Sequence, residues 1–485
     1  MLPMRVRLFA VAALALFAVG CGGTSSSSSS GSGGGLGSAS GLAPPDAIAF
    51  AALDTDLSSS QVKTAQALLD KFPGHTTLLQ KIQTSLTSKN VSWETDVKPA
   101  LGPELDVAIA KNPSGGATTG VGYTQPKDKA KFKALVAKLD ASSPGGKPTI
   151  ITEVNGWTLF SNNQQLLDQA KTAADGAGLD KDKTFSEAWG KLPGDALAKV
   201  YVAGSQLQSA LGSKTGGAIQ GNIRYVYADV VSQADGMKLE GHAISSGGTQ
   251  SFAPQSSELV KQVPSGTLLF FDFHGSKDAT TQLNNPALKS IPQLGAITAA
   301  LQQLGPLFQK EVAIYVRQGT PIPEVTLVSQ VDNEAQAKQS VTAMIAQFAP
   351  LLGQKATSQA TTVGGVAAQK LNLGSFAIYT AVFDGKLVVT SAPGGITGLK
   401  GGGAKLADDA AFKSAAKSAG MPDATTGFAY VNVKDSVPLI DGIAQLAGKP
   451  LPAQVRANLE PVRSFLMFAS AAKDDAAFGA FLQVQ

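Results

Sequence analysis

The feature that most limits the folds open to this chain is that its second half follows the plan of its first. The first copy opens with "APPDAIAFAALD" (Ala43–Asp54) and the second with "QVPSGTLLFFDF" (Gln262–Phe273). Each is a proline-containing turn feeding an apolar run of strand character. A helical stretch follows in each, over Ser58–Thr87 and Pro286–Leu304, and then a second strand, "ELDVAIAK" (Glu104–Lys111) or "KEVAIYVR" (Lys310–Arg317). "GVGYTQPKDKAKFKALVAKL" from Gly120 and "VTLVSQVDNEAQAKQSVTAMI" from Val325 both read as strand, polar turn and amphipathic helix. "VNGWTLFSN" (Val154–Asn162) and "FDGKLVVTS" (Phe383–Ser391) are hairpins turning on Asn-Gly and Asp-Gly, the strongest short-range hairpin signal.

The correspondence runs on to the end of each copy. "TFSEAWGKLPGDALAKVYVAGSQL" from Thr184 aligns with "AFKSAAKSAGMPDATTGFAYVNVKDSV" from Ala411, matching Phe185 with Phe412, Pro193 with Pro422 and Tyr201 with Tyr430. "YVYADVVSQADGMKLEGHAIS" from Tyr225 and "SFLMFASAAKDDAAFGAFLQV" from Ser464 are both strand pairs joined by a polar turn. A period of roughly 220 residues denotes a duplicated domain, not a solenoid of short repeats. The Gly, Ser and Pro of "SSGGTQSFAPQSS" (Ser245–Ser257) place the junction, giving domain 1 at Ala43–Ser251 and domain 2 at Phe252–Gln485. Hairpin-joined strands with helices between groups of them predict an α+β fold: two tandem copies of a mainly antiparallel sheet packed with helices.

The first forty residues are of another kind. Arg5 and Arg7 precede an apolar run from Leu8 to Val19, too short to span a bilayer, which takes about 20 residues. The run is laid out as a secretory signal, and the small residues Ala18, Val19 and Gly20 lead into Cys21, the single cysteine of the chain. This resembles a bacterial lipobox, with residues 1–20 as the signal peptide and Cys21 as the lipidation site. Ser25–Ser30 is a serine run and Gly31–Gly41 is almost wholly Gly and Ser, so residues 21–42 are expected to form a disordered, flexible tether with a reach of roughly 25 Å. Acyl chains on Cys21 would hold the protein at a membrane, and no cysteine remains for a disulfide or a thiol nucleophile.

Charge argues against a nucleic-acid partner. Without Arg5 and Arg7 the chain carries 38 Lys and Arg against 36 Asp and Glu, too even a balance for a steering field. Its cations are nearly all Lys, with Arg only at 224, 317, 456 and 463, whereas bidentate phosphate and base recognition favours Arg.

Residue sets that carry chemistry do not assemble in the sequence, and the expectation is no catalytic, cofactor or metal site. His75, His242 and His274 lack ligand spacing with one another and read as isolated histidines. "GSKTGG" (Gly212–Gly217) and "GLKGGGAKL" (Gly398–Leu406) fail the phosphate-loop pattern and read as loops. The acid pairs are Asp54 with Asp56, Asp180 with Asp182, and Asp408 with Asp409. "DKDKTFSEAWGK" from Asp180 has Phe185 where a calcium loop needs glycine, and reads as an acidic first turn of a helix. Amphipathic stretches at Thr76–Leu86 and Leu288–Leu304 either close a core or leave a cleft for an acyl chain.

With "LAPPDAIAFAALD", "TFSEAWGKLPGDALAKVYV" and the placement behind a lipoprotein-like signal in view, the chain resembles the bacterial family catalogued as domain of unknown function 3352 (DUF3352), over nearly all of Leu42–Gln485. The resemblance implies architecture and compartment and brings no activity. The expectation is a non-enzymatic, lipid-anchored extracytoplasmic protein that binds or scaffolds an envelope component, with a carrier of a hydrophobic ligand as the alternative and a hydrolase third.

Overall fold

The structure is a computed structural model that describes residues 35–111, 118–142, 145–204, 222–246, 253–275, 307, 309–319, 323–348, 357–373, 376–446 and 448–485. The chain divides into two compact units, whose described residues fall within 35–204, 222–245 and 484–485, and within 246 and 253–483. Each is an antiparallel sheet with helices packed on it, so the fold class is α+β.

In the first unit β1 (Ala49–Asp54) lies between β2 (Glu104–Ala110) and β6 (Ala198–Ala203). Beyond β2 come β3 (Thr119–Thr124), β5 (Trp157–Ser161) and β4 (Ile150–Val154), and beyond β6 comes β7 (Asn222–Gln233), which leads into β8 (Gly236–Ser246). The order is therefore β4-β5-β3-β2-β1-β6-β7.

The second unit is likewise built of antiparallel strands. Here β9 (Thr267–His274) lies between β10 (Glu311–Arg317) and β16 (Gly427–Val431), and β16 pairs with β17 (Val462–Ala471), which leads into β18 (Asp475–Val484). On the other side the order runs β10, β11 (Glu324–Gln330), β15 (Lys386–Thr390), β14 (Ala377–Phe383), β13 (Val366–Asn372) and β12 (Thr357–Val363). Apart from the β12–β13 hairpin, which the sequence reading did not separate out, this is the order of the first unit. That hairpin turns on Gly364 and Gly365, whose φ of 56° and 77° suit glycine.

Individual side chains occupy like positions in the two units. Phe50 on β1 sits opposite Tyr201, and Phe270 on β9 opposite Tyr430. The helix Lys183–Gly190 sets Phe185 edge-on to Tyr201 at 5.2 Å and 85°, and the helix Ala410–Ala419 sets Phe412 on Tyr430 at the same distance and angle. Both helices start on an aspartate: Asp182 accepts from the Phe185 N–H and Asp409 from the Ala411 N–H, each at 2.8 Å, satisfying donors that a first turn leaves open. Asn155 and Gly156 (φ 50° and 84°) and Asp384 and Gly385 (φ 48° and 68°) are left-handed at both central positions, which matches a hairpin turn to the twist of its strands.

The structure departs from the sequence reading in three places. The helical stretch Ser58–Thr87 is two helices, Ser60–Asp70 and His75–Thr87, because Pro73 lacks an N–H and disfavours helical backbone before it. The first buries Val62, Ala65 and Leu68; His75–Thr87 buries no residue fully, and Thr76–Leu86 reaches a core only through Leu86, which packs against the cluster of Val91, Trp93 and Val97. The tether is not flexible through residue 42: Ser38–Leu42 is a 3-10 turn with Ala39 and Leu42 buried in the first unit's core. Pro286–Leu304, the signal peptide, Cys21 and Gly212–Gly217 lie outside the described residues.

Candidate functional site

Period-two alternation along β9 sends Phe270, Asp272 and His274 to one face of the sheet, where all three are buried, while Leu269 and Phe271 are exposed on the other. Glu311 opens β10 directly across from His274, and Ala313 lies across from Asp272. The register therefore gathers Asp272, His274 and Glu311 at one end of the buried face, with one ligand atom from each lying within 4.8 Å of the others. His274 Nε2 is 3.8 Å from Asp272 Oδ2.

The three side chains are satisfied unequally. Glu311 Oε1 accepts from Ser257 Oγ (2.6 Å) and the Leu259 N–H (2.8 Å), and Oε2 accepts from the Glu258 N–H (3.0 Å) and Gln330 Nε2 (2.9 Å). Four donors fix that carboxylate in place. Both oxygens of Asp272 and the Nε2 of His274 have no hydrogen-bond partner, although Asp272 is 0% and His274 5% exposed. Burial, and then the negative charge of Glu311, push the Asp272 carboxyl up to about 8, and burial lowers the His274 imidazole.

The first unit holds a related cluster without an imidazole. Glu104, across from Asp54 as Glu311 is across from His274, accepts the Gly37 N–H at 2.7 Å, and Asp106 Oδ2 accepts the Ala39 N–H at 3.1 Å. In both units, then, the segment ahead of the first strand gives backbone N–H groups to the first carboxylate of the second strand. Trp189 Nε1 donates to the Leu36 carbonyl at 3.2 Å and holds the same segment from the other side. Lys199 on β6 faces Ala52 and Asp229, and is itself buried. Burial, then the Glu104 charge, raise the Asp106 carboxyl well above its usual range; burial lowers the Lys199 ammonium; burial, then Glu240, raise Asp229 to about 6.

The residues singled out in the sequence are dispersed. His75 begins a helix, with Nδ1 2.7 Å from the Phe72 carbonyl, and His242 stacks on Tyr227 at 4.9 Å. Asp54 accepts from Ser59 Oγ and the Asp56 N–H, while Asp182 and Asp409 are helix caps. His274 is the exception: it is not isolated but meets Asp272 and Glu311. The sequence carries part of that signal in the Asp-x-His of "FFDFH", a spacing that puts both side chains on one face of a strand. An open groove of about 570 Å³ is lined by Pro45, Asp46, Gln165, Asp168, Gln169, Thr172, Ala173 and Ala177, with no large aliphatic or aromatic side chain of the sort that grips an acyl chain. Among the described residues no helix is long and apolar enough to cross a membrane.

No curated protein matches the chain. Residues 137–318, a stretch that carries Lys199, Asp272, His274 and Glu311, match the family model described as "Protein of unknown function (DUF3352)". Over that segment the chain is similar to the DUF3352 family.

Proposed function

We propose that this chain is a lipid-anchored extracytoplasmic protein that binds or scaffolds other components at the bacterial cell envelope and catalyses no reaction. The observation that carries the reading is the N-terminal order of Arg5 and Arg7, apolar run, small residues and Cys21, followed by a Ser/Gly tract whose last residues join the folded body. The first described residues fit this arrangement, since Leu36, Ala39 and Leu42 pack into or against the first unit's core and leave a short tract between anchor and body. Two units with one strand order support descent from a duplicated domain, and such a pair offers two related faces to a partner.

The test is the Cys21→Ser variant expressed in a bacterial host, followed by membrane fractionation and metabolic labelling with an alkyne fatty acid. The expected result is a labelled wild type in the membrane fraction, and a variant that takes up no label and leaves that fraction. Label on the variant, or an unlabelled wild type, would overturn the anchor. A broad hydrolase screen of the purified chain addresses the other half of the proposal: turnover abolished by one acid or histidine substitution would make it an enzyme.

A further inference from the structure

We propose that Asp272, His274 and Glu311 form a binding site for a single divalent cation, with zinc the best-matched ion. The three come from adjacent paired strands, share one face and point their ligand atoms into a space no wider than 4.8 Å. A cation about 2.0–2.2 Å from an imidazole nitrogen and a carboxylate oxygen sets those two atoms roughly 3–4 Å apart. The 3.8 Å between His274 Nε2 and Asp272 Oδ2 falls in that range, and is too long for a hydrogen bond.

Unpartnered atoms supply an independent reason. Asp272 buries both oxygens with Glu311 and Ser257 nearby but no hydrogen bond of good geometry, and a buried imidazole nitrogen faces it unbonded; both arrangements are expensive. A cation between them would take one Asp272 oxygen and the His274 nitrogen together. Glu311 is held by Ser257, Gln330 and two backbone N–H groups; the cation would take the place of one of these four donors, and the other three would keep the ligating carboxylate in orientation. Two carboxylates and a neutral imidazole would also balance a dication.

The donor set narrows the ion. One imidazole among three ligands departs from the all-oxygen shells of calcium and magnesium, and the lack of a thiolate disfavours copper(I). Zinc accepts histidine nitrogen and carboxylate oxygen together, and three protein ligands would leave its fourth position to water. The first unit is a built-in control. Its matching positions are Ala52, Asp54 and Glu104, with no imidazole and no carboxylate in place of Asp272. One ion per chain is therefore expected, not two.

The experiment uses the full chain without a polyhistidine tag, stripped with a chelator and titrated with Zn²⁺ by calorimetry, with metal content measured after gel filtration. Co²⁺ serves as a spectroscopic probe of the same site. One zinc per chain is expected. Asp272→Asn and His274→Gln should each weaken binding by more than about 100-fold, beyond the 10–100-fold of an outer partner, which is the loss expected for Ser257→Ala. The double variant His75→Gln, His242→Gln keeps His274 as the sole histidine. It should bind zinc as the wild type does and show one cobalt-shifted imidazole resonance, a readout that stands even if the Asp272 and His274 variants do not fold. A folded wild type that takes up neither ion would overturn the proposal. So would binding that survives both ligand substitutions in folded protein, or that vanishes in the double variant.

Discussion

Replacing Asp229 by asparagine should stabilise the first unit at alkaline pH and leave it nearly unchanged in acid. Asp229 lies on β7 opposite Lys199, 7% exposed, and its carboxyl is raised from 3.8 to about 6, chiefly by burial and then by Glu240. A raised carboxyl means that the folded chain holds this proton more tightly than the unfolded chain does. Folding is thus coupled to proton uptake between pH 4 and 6: the stabilisation is complete below the unfolded value and declines as pH rises through the folded one. Above pH 6 the ionised side chain costs about 3 kcal/mol, from a displacement of about two units at 1.36 kcal/mol each. The attraction to Lys199 is already contained in that displacement. Asparagine copies the shape of the protonated acid without the charge. The assay is urea unfolding followed by tryptophan fluorescence, which reads the first unit alone because Trp93, Trp157 and Trp189 all lie in it. Asp229→Asn should raise the midpoint by roughly 1 M at pH 8, at a slope of about 3 kcal/mol per molar, and match the wild type near pH 4. A variant less stable than wild type at pH 8, or an equal difference at both pH values, would refute the reasoning.

Other outcomes follow from packing and backbone geometry. Phe50 is fully buried against Phe185 and Trp189, at 5.6 and 5.2 Å, so Phe50→Ala should cost the first unit about 3–5 kcal/mol in the same fluorescence assay. Gly122→Ala would put a methyl carbon 2.2 Å from the Phe160 ring, and should destabilise the first unit well beyond the about 0.5 kcal/mol of a tolerated surface change. Deleting residues 35–42 removes the N–H groups bound to Glu104 and Asp106, and should destabilise the first unit by several kcal/mol while the second, followed by the assigned NMR resonances of Tyr315, Tyr379 and Tyr430, keeps its transition. Asn155→Val and Asp384→Val, each at a left-handed position, should cost about 1–2 kcal/mol in their respective units.

Much of the architecture is written in short-range signals. The Asn155-Gly156 and Asp384-Gly385 turns, the aspartate caps at 182 and 409, and the Phe–Tyr pairs 185/201 and 412/430 are all visible as local patterns, because each depends on a few adjacent residues or one face of an element. The site is legible only in part. Asp272 and His274 declare a shared face by their spacing, but Glu311 joins them through the β9–β10 register, which no local pattern fixes. Docking of residues 35–42 was hidden by composition. Leu36, Ala39 and Leu42 recur every three residues, the period of a 3-10 turn, inside a tract whose Gly and Ser content reads as coil. The break at Pro73 was readable; that His75–Thr87 stays at the surface depends on what the sheet already has covering it.

The docked segment also decides how the protein answers a pull. Tension arriving at Gly35 is delivered through the Leu36 carbonyl to Trp189 and through the Gly37 and Ala39 amides to Glu104 and Asp106. Those two carboxylates stand on β2, which is laced by hydrogen bonds to β1 on one side and β3 on the other. Had the segment been fastened to the edge strand β4, load would open one bond after another, as a zip opens. Fastened where it is, load enters a strand flanked on both sides, and many bonds must yield together before the sheet gives way. The first rupture is then the strap itself, whose few contacts break and reform while the body beneath it stays folded.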